Sequence, residues 1–143
     1  MENDTIKLLR ECDSGVKMGI SSFEDVLDSI ESNEFKNLIL DSKSKHETLY
    51  VEIQKLLEKY NDEGKSPNPI LKGASWVKTK FEIMMKDNDK TIANLMIEGA
   101  NMGVKSLSKY FNECSNATEE VKNITKRLID IEDRLAFNLR KFL

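Results

Sequence analysis

The stretch GVKMGISSF at 15–23 returns as GANMGVKSL at 99–107, so that Gly15, Met18, Gly19 and Ser22 fall on Gly99, Met102, Gly103 and Ser106, and Phe23 falls on Leu107. After a two-residue slip the match continues. Glu34, Lys36 and Asn37 fall on Glu120, Lys122 and Asn123, and Leu38, Leu49, Ile53 and Leu57 fall on Ile124, Leu135, Leu139 and Leu143. In both copies apolar residues recur alternately three and four apart, a spacing that lays one stripe along a helix. The chain therefore reads as one helical hairpin written twice.

Working outward, a first helix over Asp4 to Ile30 carries Ile6, Leu9, Val16, Ile20, Phe23, Leu27 and Ile30, with Asp13 as the one charge on the stripe. Ser32 and Asn33 interrupt it and can cap a second helix. That helix places Phe35, Leu38, Ser42, Lys45 or His46, Leu49, Ile53, Leu56 and Tyr60 in step, and the turn-rich NDEGKSPNP at 61–69 ends it. A third helix is predicted from about Thr91 to Cys114, and a fourth after Asn116 or Thr118, running through Val121, Ile124, Leu128, Ile131, Leu135, Leu139 and Phe142. No segment alternates with period two for long enough to compete as a strand. The expected fold is all-α: one domain over residues 1–143, a ferritin-like four-helix bundle of two hairpins joined by a long crossover, with the third helix antiparallel to the first.

The link at 61–89 is too long for a bare loop in a compact domain. Leu71, Ala74, Val77, Phe81 and Met84 predict a short helix near 70–85, entered at Asn68 and Pro69, with Trp76 sealing one end or flank of the bundle. The glycines also call for a packing reason. Each Gly inside a helix costs on the order of 1 kcal/mol relative to Ala, and Gly15, Gly19, Gly99 and Gly103 are expected to allow two backbones, or a backbone and an inserted side chain, to approach closely.

Composition removes several classes of function. The chain has 143 residues, 39% hydrophobic and 33% charged, which suits a soluble protein with one core. No apolar run can span a bilayer, and the opening MENDTIKLLRE has charges where a signal peptide needs an apolar stretch, so a cytoplasmic setting is expected. Lys and Arg number 22 against 25 Asp and Glu, for a net charge of −3, and the basic residues are scattered among acids. Nucleic acid and anionic membrane are not expected partners. Cys12 and Cys114 lack metal-ligand spacing and, in the antiparallel layout, sit too far apart for a disulfide, so buried thiols are expected.

Three segments, ECDSGVKMG at 11–19, KGASWVKTKF at 72–81 and IEGANMG at 97–103, carry a resemblance to a ferritin-like family of uncharacterised bacterial proteins, a domain of unknown function. It covers nearly the whole length. The resemblance implies a four-helix bundle and no established activity.

Ferritin-like di-metal chemistry takes a Glu from each of two helices and a Glu-x-x-His from each of the other two. With one histidine the doubled motif is impossible, and His46 lacks even a single copy, because Lys43 stands three residues before it. Ile129 and Glu132 occupy the matching places on the fourth helix. A reduced site could draw on Asp13, His46, Glu98 and Glu132 at most, with Lys43 and Lys45 expected to put ammonium groups beside any metal. The same residues have a structural use, as a His–carboxylate network that satisfies buried polar groups. Neither a G-x-S-x-G elbow nor a phosphate-binding glycine loop is present. The expected function is that of a non-enzymatic bundle, without cofactor, that acts by association with itself, as a dimer, or with another protein. Tyr50, Trp76, Tyr110 and Phe137 are the candidate surface aromatics for such a contact. A metal-binding or redox protein with a reduced site is the alternative. Binding of an apolar ligand at a Met- and Gly-rich centre is a third class.

Overall fold

A computed structural model describes residues 3–67 and 88–143. Four long helices make up nearly all of it: α1 (Asp4–Leu27), α2 (Asn33–Lys59), α3 (Asp89–Glu113) and α4 (Glu119–Leu139), followed by a turn of 3₁₀ helix at Arg140–Phe142. There is no strand among the described residues. The short helix expected near 70–85, with Trp76, lies outside them. No described helix is long and apolar enough to cross a membrane.

Each helix begins on a side-chain cap. Asn3, Ser32, Asn88 and Thr118 accept the backbone N–H of Ile6, Phe35, Thr91 and Val121 respectively, satisfying a donor that the first turn would otherwise leave open. These caps explain why the predicted starts agree closely with the structure. The end of α1 differs. The helix stops at Leu27, three residues short of the periodic stripe, yet Ile30 is buried because the chain turns it back into the core.

The core is divided along the bundle axis into two apolar clusters. At one end Leu8, Leu9, Cys12 and Val16 of α1 meet Leu49, Ile53 and Leu57 of α2, Leu107 of α3, and Val121, Ile124 and Leu128 of α4. At the other, Phe23, Val26 and Ile30 meet Phe35 and Ile39, Ile92, Ala93, Met96 and Ala100, and Leu135 and Leu139. Phe142 stacks on Phe35 at 4.6 Å between ring centres and closes that second end. Sequence order within the clusters sets the directions: α1 is antiparallel to α2 and to α3, and α4 is antiparallel to α2 and to α3. Helix α2 thus ends beside the first cluster, whereas α3 starts beside the second. The apolar stripes are wider than single-file spacing suggests, since Leu8 and Val26 are buried as well.

Polar groups bind the ends. Asp89 at the start of α3 accepts the backbone N–H groups of Glu31 and Ser32 in the α1–α2 turn, both at 2.9 Å. At the opposite end Asp4 and Thr5 accept those of Asn116 (2.9 Å) and Thr118 (3.0 Å) in the α3–α4 turn. Each hairpin turn is thereby tied to the first turn of the other hairpin.

Candidate functional site

Between the two apolar clusters lies a layer to which every helix contributes one residue: Gly19 from α1, His46 from α2, Gly103 from α3 and Glu132 from α4. Repetition puts them there, because Gly19 corresponds to Gly103 and His46 to Glu132. His46 is fully buried and Glu132 is 8% exposed. The imidazole Nε2 stands 2.5 Å from Oε1 of Glu132, and Nδ1 stands 2.7 Å from the backbone carbonyl of Ser42. A carbonyl can only accept, so Nδ1 carries hydrogen. A second proton lies between Nε2 and Oε1, as an imidazolium–carboxylate or an imidazole–carboxylic acid pair. Phe23 meets the ring edge-on, 4.9 Å between centres. Both ring nitrogens are engaged, so His46 offers no lone pair to a metal or substrate in this arrangement.

Gly19 is small because of the ring. A Cβ at that position would lie 2.8 Å from Cδ2 and 2.9 Å from Nε2 of His46. At Gly103 the nearest atom to such a Cβ is Oε2 of Glu132, at an ordinary 3.7 Å. Of the two reasons expected for these glycines, the inserted side chain applies at Gly19.

The candidate metal residues part company here. His46 and Glu132 are brought together. Asp13, fully buried, belongs to a different place: Oδ2 accepts Lys17 Nζ at 2.9 Å and the Lys65 backbone N–H at 3.0 Å, while Oδ1 accepts Gln54 Nε2 at 2.8 Å. It anchors the chain after α2. Gly64 passes over this carboxylate with φ +78°, a conformation that favours glycine, and any Cβ there would strike Asp13. Arg10 reinforces the anchor by gripping Asp62 through Nε (2.9 Å) and Nη2 (2.7 Å), which holds the Asp62 carboxyl below its ordinary range. Glu98 is exposed on α3. Among the described residues no three His, Cys, Asp or Glu side chains converge as a metal-binding group. Lys43 reaches Glu24 at 3.6 Å and Lys45 reaches Asp41 at 3.1 Å, so each ammonium is paired with a carboxylate outside the layer.

Cys12 and Cys114 are free and buried. Thr125 Oγ1 donates to the Val121 carbonyl at 2.8 Å, so its 3.2 Å contact with Cys12 has the thiol as donor. Burial pushes the Cys12 thiol up to about 12, against a smaller opposing effect of Thr125. A thiol held protonated is a poor nucleophile.

Among the described residues the layer is open on the α1–α3 side. A groove of about 250 Å³ runs between the two helices, walled by Gly15, Met18 and Gly19 on one side and Gly99, Met102 and Gly103 on the other, with Leu128, Glu132 and Leu135 of α4 as its floor. Its walls are the two copies of the repeated stretch, facing each other in antiparallel directions. The sequence marks these residues as special but not the gap between them, which depends on the separation of α1 and α3. Met96, which also lines it, carried no signal of its own. Chemically the site offers adaptable, mostly apolar walls, the free carboxyl oxygen of Glu132, the Glu11 carboxylate and the hydroxyls of Ser14, Ser22 and Ser106, with no serine set against a free base among the described residues.

Comparison with protein-family models, with curated proteins and with solved structures gave no match.

Proposed function

We propose that this chain is a non-enzymatic, ferritin-like helical bundle that acts by association, and that the associating molecule is an apolar small molecule held in the α1–α3 groove. The observation that carries the reading is a gap, filled by none of the described residues, between the two copies of the repeated stretch. Helix-interior glycines are retained on both walls although only Gly19 has an inserted side chain that requires one. The ferritin-like layout is supported by the antiparallel hairpins, in which equivalent helices lie side by side. Loss of a di-metal site is supported by the engagement of both His46 nitrogens and by the separate positions of Asp13 and Glu98.

The neutral dye Nile red tests it. Wild-type protein should give a saturable rise in dye fluorescence, and Gly103→Leu, which fills the groove, should abolish it while leaving the helical circular dichroism intact. A wild-type protein that gives no saturable signal overturns the reading. So does near-stoichiometric iron, manganese or zinc in protein purified without chelator, which would restore the metal-binding or redox alternative.

Self-association is a second reading, favoured by surface apolar groups. Phe137 is 63% exposed, and Leu40 and Val51 lie on one side of α2 at 49% and 51%. Of the other aromatic candidates, Tyr50 is at the surface, Tyr110 packs against the first cluster, and Trp76 is outside the described residues. Sedimentation at rising concentration checks it: a homodimer gives a mass that doubles, and a constant monomer mass removes it.

A further inference from the structure

We infer that the groove selects an apolar molecule ending in a hydrogen-bond donor, a hydroxyl or an amine, and that Oε2 of Glu132 is the acceptor that selects it. The inference rests on the groove being a ligand site and goes on to specify what enters. Oε1 of Glu132 is taken by His46 at 2.5 Å, whereas Oε2 has no hydrogen-bond partner among the described residues. This oxygen belongs to a side chain that is 11% exposed, on the floor of a groove whose other floor residues from α4 are Leu128 and Leu135. The oxygen is open to the groove, where water can meet it, and a ligand that displaces that water must supply a donor in its place or leave the acceptor unmet.

The proton shared with His46 makes the preference one-sided. With the proton on Nε2, Oε2 belongs to a carboxylate. With the proton on Oε1, Oε2 is the carbonyl oxygen of a carboxylic acid. Both arrangements leave it able only to accept. A carboxylate-headed ligand would set acceptor against acceptor, and one without a polar head would leave Oε2 unmet. The remaining shape is permissive: Met18, Met96 and Met102 are flexible thioethers that adapt to a chain or a ring. A dry apolar cavity of about 150 Å³ holds one benzene. At about 250 Å³ the groove suits a somewhat larger body, and it falls below the usual range for drug-sized ligands.

Isothermal titration of the whole chain with four probes of similar length tests the inference: 1-octanol, octylamine, octanoate and 1-methoxyheptane. Octanol and octylamine should bind at least about tenfold more tightly than octanoate or the ether, the usual scale for one well-placed buried hydrogen bond. In Glu132→Leu the gap between octanol and the ether should shrink to less than about twofold, in line with loss of that bond. The comparison of octanol with the ether in wild-type protein needs no variant, so it stands even if Glu132→Leu fails to fold. Equal binding of all four probes, or tighter binding of octanoate, overturns the donor preference and leaves the groove as a ligand site. Absence of binding by all four, together with no Nile red signal, overturns both.

Discussion

Asp13 and Glu132 are both acids enclosed between helices, and their surroundings differ in one respect. Asp13 accepts three hydrogen bonds, from Lys17, Gln54 and the backbone of Lys65, and both of its oxygens are used. Glu132 shares one, with His46, and its second oxygen faces a groove. A buried carboxylate with both oxygens answered is a fastening, and changing it should alter stability alone. One with an oxygen to spare can still engage something else. Burial by itself distinguishes neither; the count of donors does.

The largest expected effect breaks the first half of this contrast. Asp13→Ala leaves Lys17, Gln54 and the Lys65 N–H without their acceptor in a closed site, and urea unfolding should show a loss of about 3–5 kcal/mol. Nile red binding by the folded fraction should stay as in wild type. A loss of dye binding there would join the two carboxylates into one site and end the contrast.

The next test uses the repeat. Gly19→Ala and Gly103→Ala are the same change at equivalent positions, and their effects should have opposite signs. At Gly19 the new methyl meets the His46 ring at 2.8–2.9 Å, and overpacking should cost about 1–3 kcal/mol. At Gly103 the methyl lies at van der Waals distance from Glu132, so the gain in helix propensity, about 1 kcal/mol, should appear as stabilisation. Thermal or urea melts of the pair decide the matter, and equal signs would mean that the ring does not occupy the Gly19 notch.

The smallest effect concerns charged groups at the rim. Glu52 is held below its ordinary value by Arg127, which bonds it through Nη1 (2.9 Å) and Nη2 (2.6 Å), and Asp62 is likewise lowered by Arg10. A carboxyl lowered in the fold binds fewer protons than its unfolded counterpart, so this stability is present above the usual carboxylate range and is lost as pH falls through it. Each such pair is exposed enough that its contribution should stay below about 1 kcal/mol. Urea midpoints measured from pH 7 downward should fall less steeply in Arg127→Gln than in wild type.

Much of the fold was legible because it is governed by local spacing. The apolar stripes, the Ser32 and Thr118 caps and the doubled hairpin are sequence-near properties, and the structure agrees with each within a few residues. The meeting of His46 with Glu132 was also within reach, since the repeat places them at equivalent positions on adjacent helices. The role of Asp13 was not. It depends on where the chain goes after α2, and Lys65 and Gly64 touch it only after a turn whose path no periodicity encodes. A Met- and Gly-rich centre was legible as a possible apolar site, but the gap itself was not, for a similar reason. Small residues permit helices to approach but do not compel them to, and here α1 and α3 leave a gap where their glycines face each other.

Equivalence of His46 and Glu132 has a consequence for the doubled hairpin itself. Two identical copies would set like against like across the molecular dyad, either a pair of carboxylates repelling at hydrogen-bond range or a pair of imidazoles contending for a single hydrogen. Making one half basic and the other acidic turns that conflict into a complementary lock. Symmetry brings the two halves together, and its breach at one position lets them close.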